Sequence, residues 1–357
     1  MNKLNCAVVG LGAIGPTHVE SILKTPNAVL YAVCDIVQEK ADKLAAETGC
    51  KAFYDYDEMI KDPAIDLVHI CLPSGMHADF GCKAALAGKN VLVEKPIDVT
   101  LEAADRLIRT CRDSGVVLSC ISQHRFDPDI QTTKAAIERG EMGKIIFGAS
   151  HTKWYRSQDY YDSGDWRGTW ALDGGGALMN QSVHYVDLVQ YLVGPVEEVT
   201  ARTGLLAHER IEVEDVAVAT LKFKSGALGL LEGNTACFPG LTTRLDIYGT
   251  DGLIVIEGDR IKEWKTKADV VGTNFYNVVL KERGKPVETA DDTLTGASSA
   301  AITATSHQRQ IQDVVDAILE GRSPAVTGEE ARRPLAVIIA VYESAKNGGV
   351  PVKVDDK

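Results

Sequence analysis

Short apolar runs alternate with amphipathic segments over the first 123 residues. The apolar runs predict six β-strands, at residues 6–9, 29–34, 52–54, 67–71, 91–93 and 116–121. The segments between them predict helices near 17–24, 38–48, 77–88 and 100–114. Because the strands are apolar throughout rather than at every second position, both faces of their sheet should be covered. This alternation predicts an α/β fold with a doubly wound parallel sheet.

The pattern changes after Gln123. Helices are predicted at 128–139 and 177–192, a long strand at 144–154, and successive strands with short turns from 197 to 267. That order predicts an antiparallel or mixed sheet rather than more strand–helix–strand units. Residues 281–300 are polar and small and predict a loop, and two helices are predicted near 304–320 and 328–346, with Pro334 in the first turn of the last helix or kinking it. We therefore expect two domains, residues 1–123 and 124–357.

Composition and net charge limit the classes of partner that the protein is expected to bind. The net charge of -12 disfavours nucleic acids and anionic membranes, which bind basic surfaces. The eight cysteines form no C-x-x-C pair and predict small buried side chains rather than a metal site. The N-terminal apolar run is too short for a signal peptide, and no stretch approaches the roughly 18 apolar residues of a membrane helix. We expect a cytoplasmic protein that binds a small molecule and no metal.

A glycine-rich motif follows the first predicted strand. Gly10-Leu11-Gly12-Ala13-Ile14-Gly15 has the spacing G-x-G-x-x-G and leads into a predicted helix. Gly10 would permit a tight turn, Gly12 the approach of a pyrophosphate, and Gly15 close helix packing, as in a Rossmann domain. Asp35 ends the second strand, where its carboxylate would bind ribose hydroxyls and repel a 2′-phosphate, which favours NAD over NADP. The alternatives are a turn without a ligand and a solvated Asp35.

Two candidate acid–base residues lie farther along the chain. Lys95 follows an apolar strand within Glu94-Lys95-Pro96, and ligands of open α/β sheets lie beyond the carboxyl ends of strands. Asn180 and His184 are four residues apart and would share one helix face, and Asp187 could orient His184. A solvated lysine and a buried core histidine are the alternatives.

An aromatic segment precedes the second helix of this half. Residues 154–170 contain three of the four tryptophans, together with several tyrosines and two arginines. Aromatic rings with Arg and Gln suit a carbohydrate, which has apolar ring faces and many hydroxyls. The alternative is a plug that packs in the core or between domains.

Together these motifs resemble the glucose–fructose oxidoreductase, inositol dehydrogenase and rhizopine-catabolism family (Gfo/Idh/MocA). The resemblance rests on the glycine motif, Asp35, Glu94-Lys95-Pro96, Gly174-Gly175-Gly176, His184 and Ala325-Val326-Thr327-Gly328-Glu329-Glu330. It implies a Rossmann domain and a C-terminal α+β domain with a large, mostly antiparallel sheet. It also implies a nicotinamide dehydrogenase of sugars or polyols that forms homodimers or homotetramers through that sheet. The last helix could pack back on the first domain.

The resemblance assigns catalytic roles to Lys95 and His184. Many members of the family have Asp four residues before the histidine, where this chain has Asn180, which cannot take a proton. This departure argues against plain inositol dehydrogenase activity. Residues 154–162, 166–170 and 179–188 look like those of bacterial dehydrogenases that oxidise the 3-hydroxyl of UDP-N-acetylglucosaminuronate.

The predicted function is oxidation of a secondary ring hydroxyl, at C3 of a sugar, glycoside or nucleotide sugar, by hydride transfer to NAD. The alternatives are an inositol or polyol dehydrogenase, a redox-assisted glycoside lyase and an NAD-binding regulator without turnover. The residues expected to contact the cofactor are Gly10, Gly12, Ala13, Ile14, Gly15, Asp35, Ile36, Pro73, Ser74, His77, Glu94, Lys95, Gln123, Trp166 and Arg167. Those expected to contact the substrate are Lys95, Arg125, Tyr155, Arg156, Tyr160, Arg167, Asn180 and His184.

Overall fold

A six-stranded parallel sheet forms the first half of the chain. The computed structural model describes residues 3–273, 278–280 and 300–355. The elements of the first half are β1 (Leu4–Val9), α1 (Gly15–Leu23), β2 (Ala28–Cys34), α2 (Gln38–Thr48), β3 (Lys51–Phe53), α3 (Tyr56–Met59), β4 (Leu67–Ile70), α4 (His77–Leu86), β5 (Asn90–Val93), α5 (Leu101–Asp113) and β6 (Leu118–Cys120). The strand order is β3-β2-β1-β4-β5-β6, and every pairing is parallel. This is the strand order of dinucleotide-binding domains and confirms the predicted α/β fold.

Burial explains why these segments form this sheet. Every residue of β4 is buried, as expected for a central strand covered on both faces. Helix α5 buries Ala104, Leu107 and Cys111, which recur every three or four residues on one face. Strand β6 is shorter than its apolar run predicts. At its start the Val117 amide donates to the Asn90 side chain, while the Val117 carbonyl oxygen accepts from the Val91 amide of β5.

A mixed eight-stranded sheet forms the second half. Its elements are α6 (Pro128–Glu138), β7 (Ile145–Lys153), α7 (Gln158–Asp162), α8 (Val183–Val193), β8 (Val196–Gly204), β9 (Val216–Phe223), β10 (Leu228–Asn234), β11 (Arg244–Gly249), β12 (Gly252–Glu257), β13 (Arg260–Thr266), β14 (Val270–Thr273), β15 (Val278–Leu280), α9 (Ala300–Glu320), α10 (Gly328–Lys346) and β16 (Val352–Lys353). The order is β13-β12-β11-β7-β10-β9-β8-β16, with β7 and β10 parallel and the other neighbours antiparallel. Strands β14 and β15 pair separately. The mixed sheet is therefore confirmed, whereas residues 281–299 of the predicted loop lie outside the described residues.

The second half departs from the sequence prediction at the start of one helix and at one proline. The helix predicted at 177–192 starts as a π-helical turn, Ala177–Ser182, and continues as α8. The Glu214 carboxylate accepts hydrogen bonds from the Gly176 and Leu178 amides and holds the start of this turn. Pro334 lies inside α10 rather than in its first turn, because Thr327 caps that helix by accepting from the Glu330 amide.

The last two helices connect the halves. Helix α9 packs on α1, and α10 packs on β8, α8, α5 and β6. A Cβ atom at Gly328 would lie 2.7 Å from the Leu118 side chain, so the first turn of α10 touches the edge of the parallel sheet. The carboxyl ends of β1, β4 and β5 thereby face a cleft bordered by both halves.

Two further sequence expectations concern the membrane and the cysteines. Among the described residues, no helix combines the length and the apolar character that crossing a bilayer requires. The cysteines are free, and six of the eight are buried. Burial raises the pKa of the Cys6, Cys34 and Cys111 thiols to about 12, which keeps them protonated and unreactive.

Candidate active site

The glycine loop between β1 and α1 exposes its backbone to the cleft. Gly10 has a φ of +88°, and a Cβ atom there would lie 2.5 Å from the Cys71 carbonyl oxygen. A Cβ atom at Gly15 would lie 2.3 Å from the Gly10 carbonyl oxygen, so this glycine allows α1 to start directly behind the turn. At Gly12 the Cβ position meets no protein atom within 4 Å. The three glycines therefore serve the turn, the helix packing and an open approach for a ligand.

Asp35 closes one end of the loop. Its Oδ2 accepts from the Leu11 amide at 2.8 Å, and its Oδ1 accepts from the Val37 amide at 2.9 Å. The neighbouring residue, Ile36, is 89% exposed. These bonds fix a negative charge at the carboxyl end of β2, where the ribose of a bound dinucleotide would lie.

One cavity of about 1040 Å³ runs from this loop to Lys95 and His184. Most of the predicted site residues line it, namely Gly10, Gly12, Ala13, Ile14, Asp35, Ile36, Pro73, Ser74, Glu94, Lys95, Gln123, Trp166, Arg167, Asn180 and His184. The residues from Gly10 to Gln123 follow the carboxyl ends of parallel strands. The other four, from Trp166 to His184, belong to the second half of the chain. The cavity is thus open to a dinucleotide along one side and to a smaller ligand at its far end.

Two histidines hold Glu94 in place at the edge of the cavity. Its Oε1 lies 2.8 Å from His18 Nε2 and 3.5 Å from His307 Nε2, and its Oε2 accepts from the Lys95 amide. Burial by itself would raise the pKa of Glu94, but the hydrogen bonds from His18 and His307 bring it well below its usual range. Glu94 is therefore a fixed anion in the cavity lining that joins α1, the end of β5 and α9.

Lys95 reaches from the parallel sheet to the π-helical turn. Its Nζ donates to the Asn180 carbonyl oxygen at 2.9 Å, across the boundary between the two halves. Burial lowers the pKa of Lys95, while the charges of Glu94 and Asp173 oppose that change. A lysine in this state can release or take up a proton more readily than a solvated one.

His184 lies in the first turn of α8 and faces His124. Their ring centroids are 5.1 Å apart in an edge-to-face arrangement. Burial, and then the positive charges of Lys95 and His124, hold the pKa of His184 well below its usual range. Its imidazole is therefore neutral at neutral pH and can accept a proton. Asp187 does not orient it, contrary to the sequence expectation, because that carboxylate is bonded to Arg125.

Side-chain amides connect Lys95 to the aromatic segment. The Asn180 amide group donates to Asp173 Oδ1, and Asn180 Oδ1 accepts from Gln181 Nε2 at 2.8 Å. Gln181 also donates to the Tyr160 hydroxyl and accepts from Arg156 at 2.8 Å. Residues distant in the sequence thus form one network beside the cavity.

Two arginines stack on the aromatic rings of the same region. The Arg167 guanidinium lies 4.3 Å from the Tyr160 ring centroid and 4.5 Å from that of Trp166. The Arg156 guanidinium lies 5.0 Å from the Trp154 ring centroid. Stacking fixes both cations without neutralising them. Trp154 and Arg167 line the cavity directly, whereas Arg156 and Tyr160 lie behind Gln181.

Several residues that were predicted to contact the cofactor or the substrate lie outside the cavity lining. Arg125 is a correction, because its guanidinium is buried in ion pairs with Asp187 and Glu330, away from the cavity lining. His77 is another, since its two ring nitrogens bind the Pro96 and Leu72 carbonyl oxygens. Tyr155 stacks on Phe238 outside the cavity. Gly15 packs against the Gly10 carbonyl oxygen and does not line the cavity.

Two buried groups of side chains have a spacing that could hold a metal ion. They are His18 with Glu94 and His307, and His124 with Asp127 and Asp259. In the first, His18 Nδ1 also lies 3.0 Å from His69 Nδ1. In the second, His124 Nδ1 lies 2.7 Å from Asp127 Oδ2. Both groups are thus joined internally by hydrogen bonds.

The sequence prediction missed several residues of the site. Gln181, Asp173 and the histidines around Glu94 are brought in by tertiary contacts. The available signals were weak: Gln181 adjoins Asn180, and His18 lies one turn into α1 after the glycine loop.

Comparisons with known proteins agree with this geometry. A model described as the oxidoreductase family with NAD-binding Rossmann fold matches residues 4–122, and one described as the GFO/IDH/MocA C-terminal domain matches residues 130–255. The chain is similar to scyllo-inositol 2-dehydrogenase (NAD(+)) of Bacillus subtilis, with 29% identity over 100% of this chain and 98% of that protein. It is similar to myo-inositol 2-dehydrogenase of Thermotoga maritima, with 28% identity over 96% of each chain.

Among solved structures, the WlbA dehydrogenase of Bordetella pertussis in complex with NADH and UDP-GlcNAcA is 32% identical. That similarity covers 99% of each chain, with a TM-score of 0.84. The two family models lie on the two sides of the cleft and together match most of the chain. The chain therefore belongs to the Gfo/Idh/MocA family of NAD-dependent oxidoreductases, whose relatives dehydrogenate sugars and polyols.

Proposed function

We propose that this enzyme oxidises a secondary ring hydroxyl, at C3 of the pyranose of an anionic nucleotide sugar. The observation that carries the proposal is the convergence of the glycine loop, Lys95 and His184 on one cavity, with Arg167 at the same end. The likeness to the Bordetella pertussis dehydrogenase, solved with NADH and UDP-GlcNAcA, supports this substrate class.

The proposed roles follow from the charges of the site. Bound NAD would accept the hydride from the carbinol carbon. His184 is suited to take the hydroxyl proton, because its lowered pKa keeps it neutral. Lys95 would stabilise the developing alkoxide, since its ammonium is fixed by the Asn180 carbonyl oxygen. Acid–base assistance of this kind contributes roughly 10²–10⁴-fold in rate.

The arginines would bind the negative charge of the substrate. The whole chain carries a net charge of -12, so an anion must be attracted by local cations. Arg167 lies at the cavity surface and donates to the Tyr160 hydroxyl at 2.7 Å. Arg156 is held by Gln181 directly behind that surface. Trp166 would flank the sugar or the cofactor, and Asn180 would position a hydroxyl. Tyr160 would hold Arg167 from behind the cavity lining.

We also propose that the protein assembles as a dimer or tetramer through the eight-stranded sheet. One face of this sheet packs on α8, where Gly148 approaches Val193. The opposite face exposes Val218, Leu228 and Leu230 on adjacent strands. Exposed apolar side chains among polar ones on a sheet face are typical of a subunit interface. Light scattering would test this, and Leu230→Lys should shift the mass toward the monomer.

A substrate panel tests the proposed activity. It contains UDP-GlcNAcA, its neutral counterpart UDP-N-acetylglucosamine, free hexoses, glycosides and inositols, each with NAD. Both NADH and the oxidised sugar are measured. We expect the largest kcat/KM with UDP-GlcNAcA. Faster oxidation of inositols would favour a polyol dehydrogenase, cleaved sugar without NADH would favour a lyase, and no reaction would favour a regulator.

A further inference from the structure

A buried carboxylate lies behind Asn180. Asp173 is only 2% exposed and immediately precedes the three glycines that lead into the π-helical turn. Its Oδ2 accepts from the Gly168 amide at 2.8 Å, and its Oδ1 accepts from the Asn180 amide group. Its negative charge also acts on Lys95 and Arg167. Among the described residues, Asp173 is thus the carboxylate that holds the Asn180 side chain through a hydrogen bond.

The contacts of Asn180 allow only one orientation of its carboxamide. The nitrogen must face Asp173, which only accepts, and the oxygen must face Gln181 Nε2, which only donates. The main-chain oxygen of the same residue holds Lys95 Nζ. Any disturbance of this side chain would thus reach the ammonium that acts on the substrate.

An aspartate at position 180 would conflict with this arrangement. Its carboxylate would face the Asp173 carboxylate, and two adjacent buried carboxylates cannot both be ionised without a large cost. With aspartate at position 180 and asparagine at position 173, however, every bond could form again. The amide oxygen at position 173 would accept from Gly168, and the amide nitrogen there would donate to the carboxylate at position 180. That carboxylate would in turn accept from Gln181.

We propose that Asp173 is a positioning residue of this active site, and that positions 173 and 180 work only as one carboxylate and one carboxamide. This inference rests on the proposed dehydrogenase function. The carboxylate orients Asn180 and places a negative charge near Lys95, so that the Lys95 ammonium is retained until the alkoxide forms. Besides Glu94, the chain thereby keeps a second carboxylate near the lysine, one hydrogen bond farther away than an aspartate at position 180 would be.

A four-protein cycle tests the pairing. It comprises the wild type, Asp173→Asn, Asn180→Asp and the double variant, each assayed for kcat and KM with the best substrate of the panel. We expect each single change to lower kcat by about 10- to 100-fold, the cost of an unpaired buried polar group, with a smaller change in KM. The double variant should recover most of the lost kcat. NADH binding verifies that each protein is folded.

A second readout separates positioning from simple support of the fold. The pKa of Lys95, followed by NMR of ¹⁵N-lysine protein without substrate, should fall in Asp173→Asn because a nearby negative charge is removed. The double variant should reverse that fall. As a matched control, Gln312 Nε2 donates to Asp316 on α9. The exchange Gln312→Glu with Asp316→Asn should leave both kcat and the Lys95 pKa unchanged.

The outcomes distinguish this inference from the proposed function. Wild-type protein without turnover on the panel would contradict the dehydrogenase, and the NMR cycle would still decide the pairing. Wild-type activity with unaffected single variants would overturn the role of Asp173. The pairing would be overturned if the double variant lost kcat by the product of the two single losses and its Lys95 pKa stayed as low as in Asp173→Asn.

Discussion

The two ends of the cleft are built by different means. At the glycine-loop end, most of the lining comes from the backbone of one loop and from Asp35, which lie within 26 residues of each other, and Pro73 and Ser74 add to it. Gly12 leaves its surface open, and Asp35 is fixed by the Leu11 and Val37 amides. Such a site needs little from the rest of the protein beyond the sheet that supports it.

At the other end, side chains from several elements depend on one another. Lys95 comes from the end of β5 and Arg167 from the aromatic segment, and hydrogen bonds through Asn180, Gln181 and Tyr160 connect them. His184 comes from α8 and lines the same cavity. A change in one member should therefore disturb the others. Cofactor binding and chemistry should therefore be separable by mutation.

The largest expected effect separates chemistry from cofactor binding. Lys95→Met and His184→Asn should each lower kcat by roughly 10²–10⁴-fold, because each removes a group that acts on the transferred proton. NADH affinity should remain within a few-fold of the wild type, since the glycine loop is untouched. Steady-state kinetics and NADH fluorescence check both quantities. Wild-type turnover in either variant would refute its catalytic role.

A smaller effect is expected at the nucleotide end. Gly12→Ala should weaken NADH binding by about 10- to 100-fold, since its methyl group would occupy the open approach to the backbone amides. Its melting temperature should match the wild type. Gly10→Ala is the matched comparison and should lower the free energy of unfolding by at least about 1–2 kcal/mol, because its φ is +88°. Equal melting temperatures for both variants would contradict this division.

Two substitutions beside the glycine loop should change the preference between NAD and NADP without affecting the Lys95 end of the cleft. Asp35→Ser with Ile36→Arg should raise the preference for NADP over NAD by about tenfold or more, because the repelling carboxylate is replaced by a cation. Ile36→Arg alone should have less effect, since Asp35 remains. Kinetics with both cofactors measure the ratio. An unchanged ratio in the double variant would show that Asp35 does not select the cofactor.

The pH dependence tests the electrostatics around His184. The acid limb of kcat/KM should lie below the usual histidine range, because His184 accepts a proton only when neutral and its pKa is lowered. His124→Gln removes a nearby positive charge, so the pKa of His184 should rise and the limb should move to higher pH. A pH profile of both proteins checks this shift. An unmoved limb would exclude the influence of His124.

The smallest effect on activity is expected at Arg125. Arg125→Lys should leave KM unchanged, because this guanidinium binds Asp187 and Glu330 rather than the substrate. The free energy of unfolding should fall by about 1–3 kcal/mol, since lysine cannot replace the two-point contact with buried Asp187. Urea denaturation and substrate kinetics separate the two quantities. A raised KM with unchanged stability would return Arg125 to the substrate site.

The glycine loop depends on local contacts and the Lys95 region on long-range ones, and this difference explains which features the sequence could predict. The parallel sheet, the mixed sheet, the family and NAD were predicted and are confirmed, because strand periodicity and the glycine spacing are local signals. The placement of Lys95 beyond a strand end follows the same logic. Asp173 and the histidines around Glu94 could not be predicted, because their roles depend on contacts between elements far apart in the chain. The bonds of Asp187 to Arg125 depend on the same kind of contact.

The most direct test of the proposed mechanism follows the transferred hydrogen. UDP-GlcNAcA deuterated at C3 is incubated with NAD and the enzyme, and the mass of the reduced cofactor is measured. The proposed mechanism predicts one deuterium in NADH, together with the 3-keto sugar, and no such transfer with Lys95→Met on the same timescale. Reduced cofactor without deuterium, or full transfer by the variant, would contradict it.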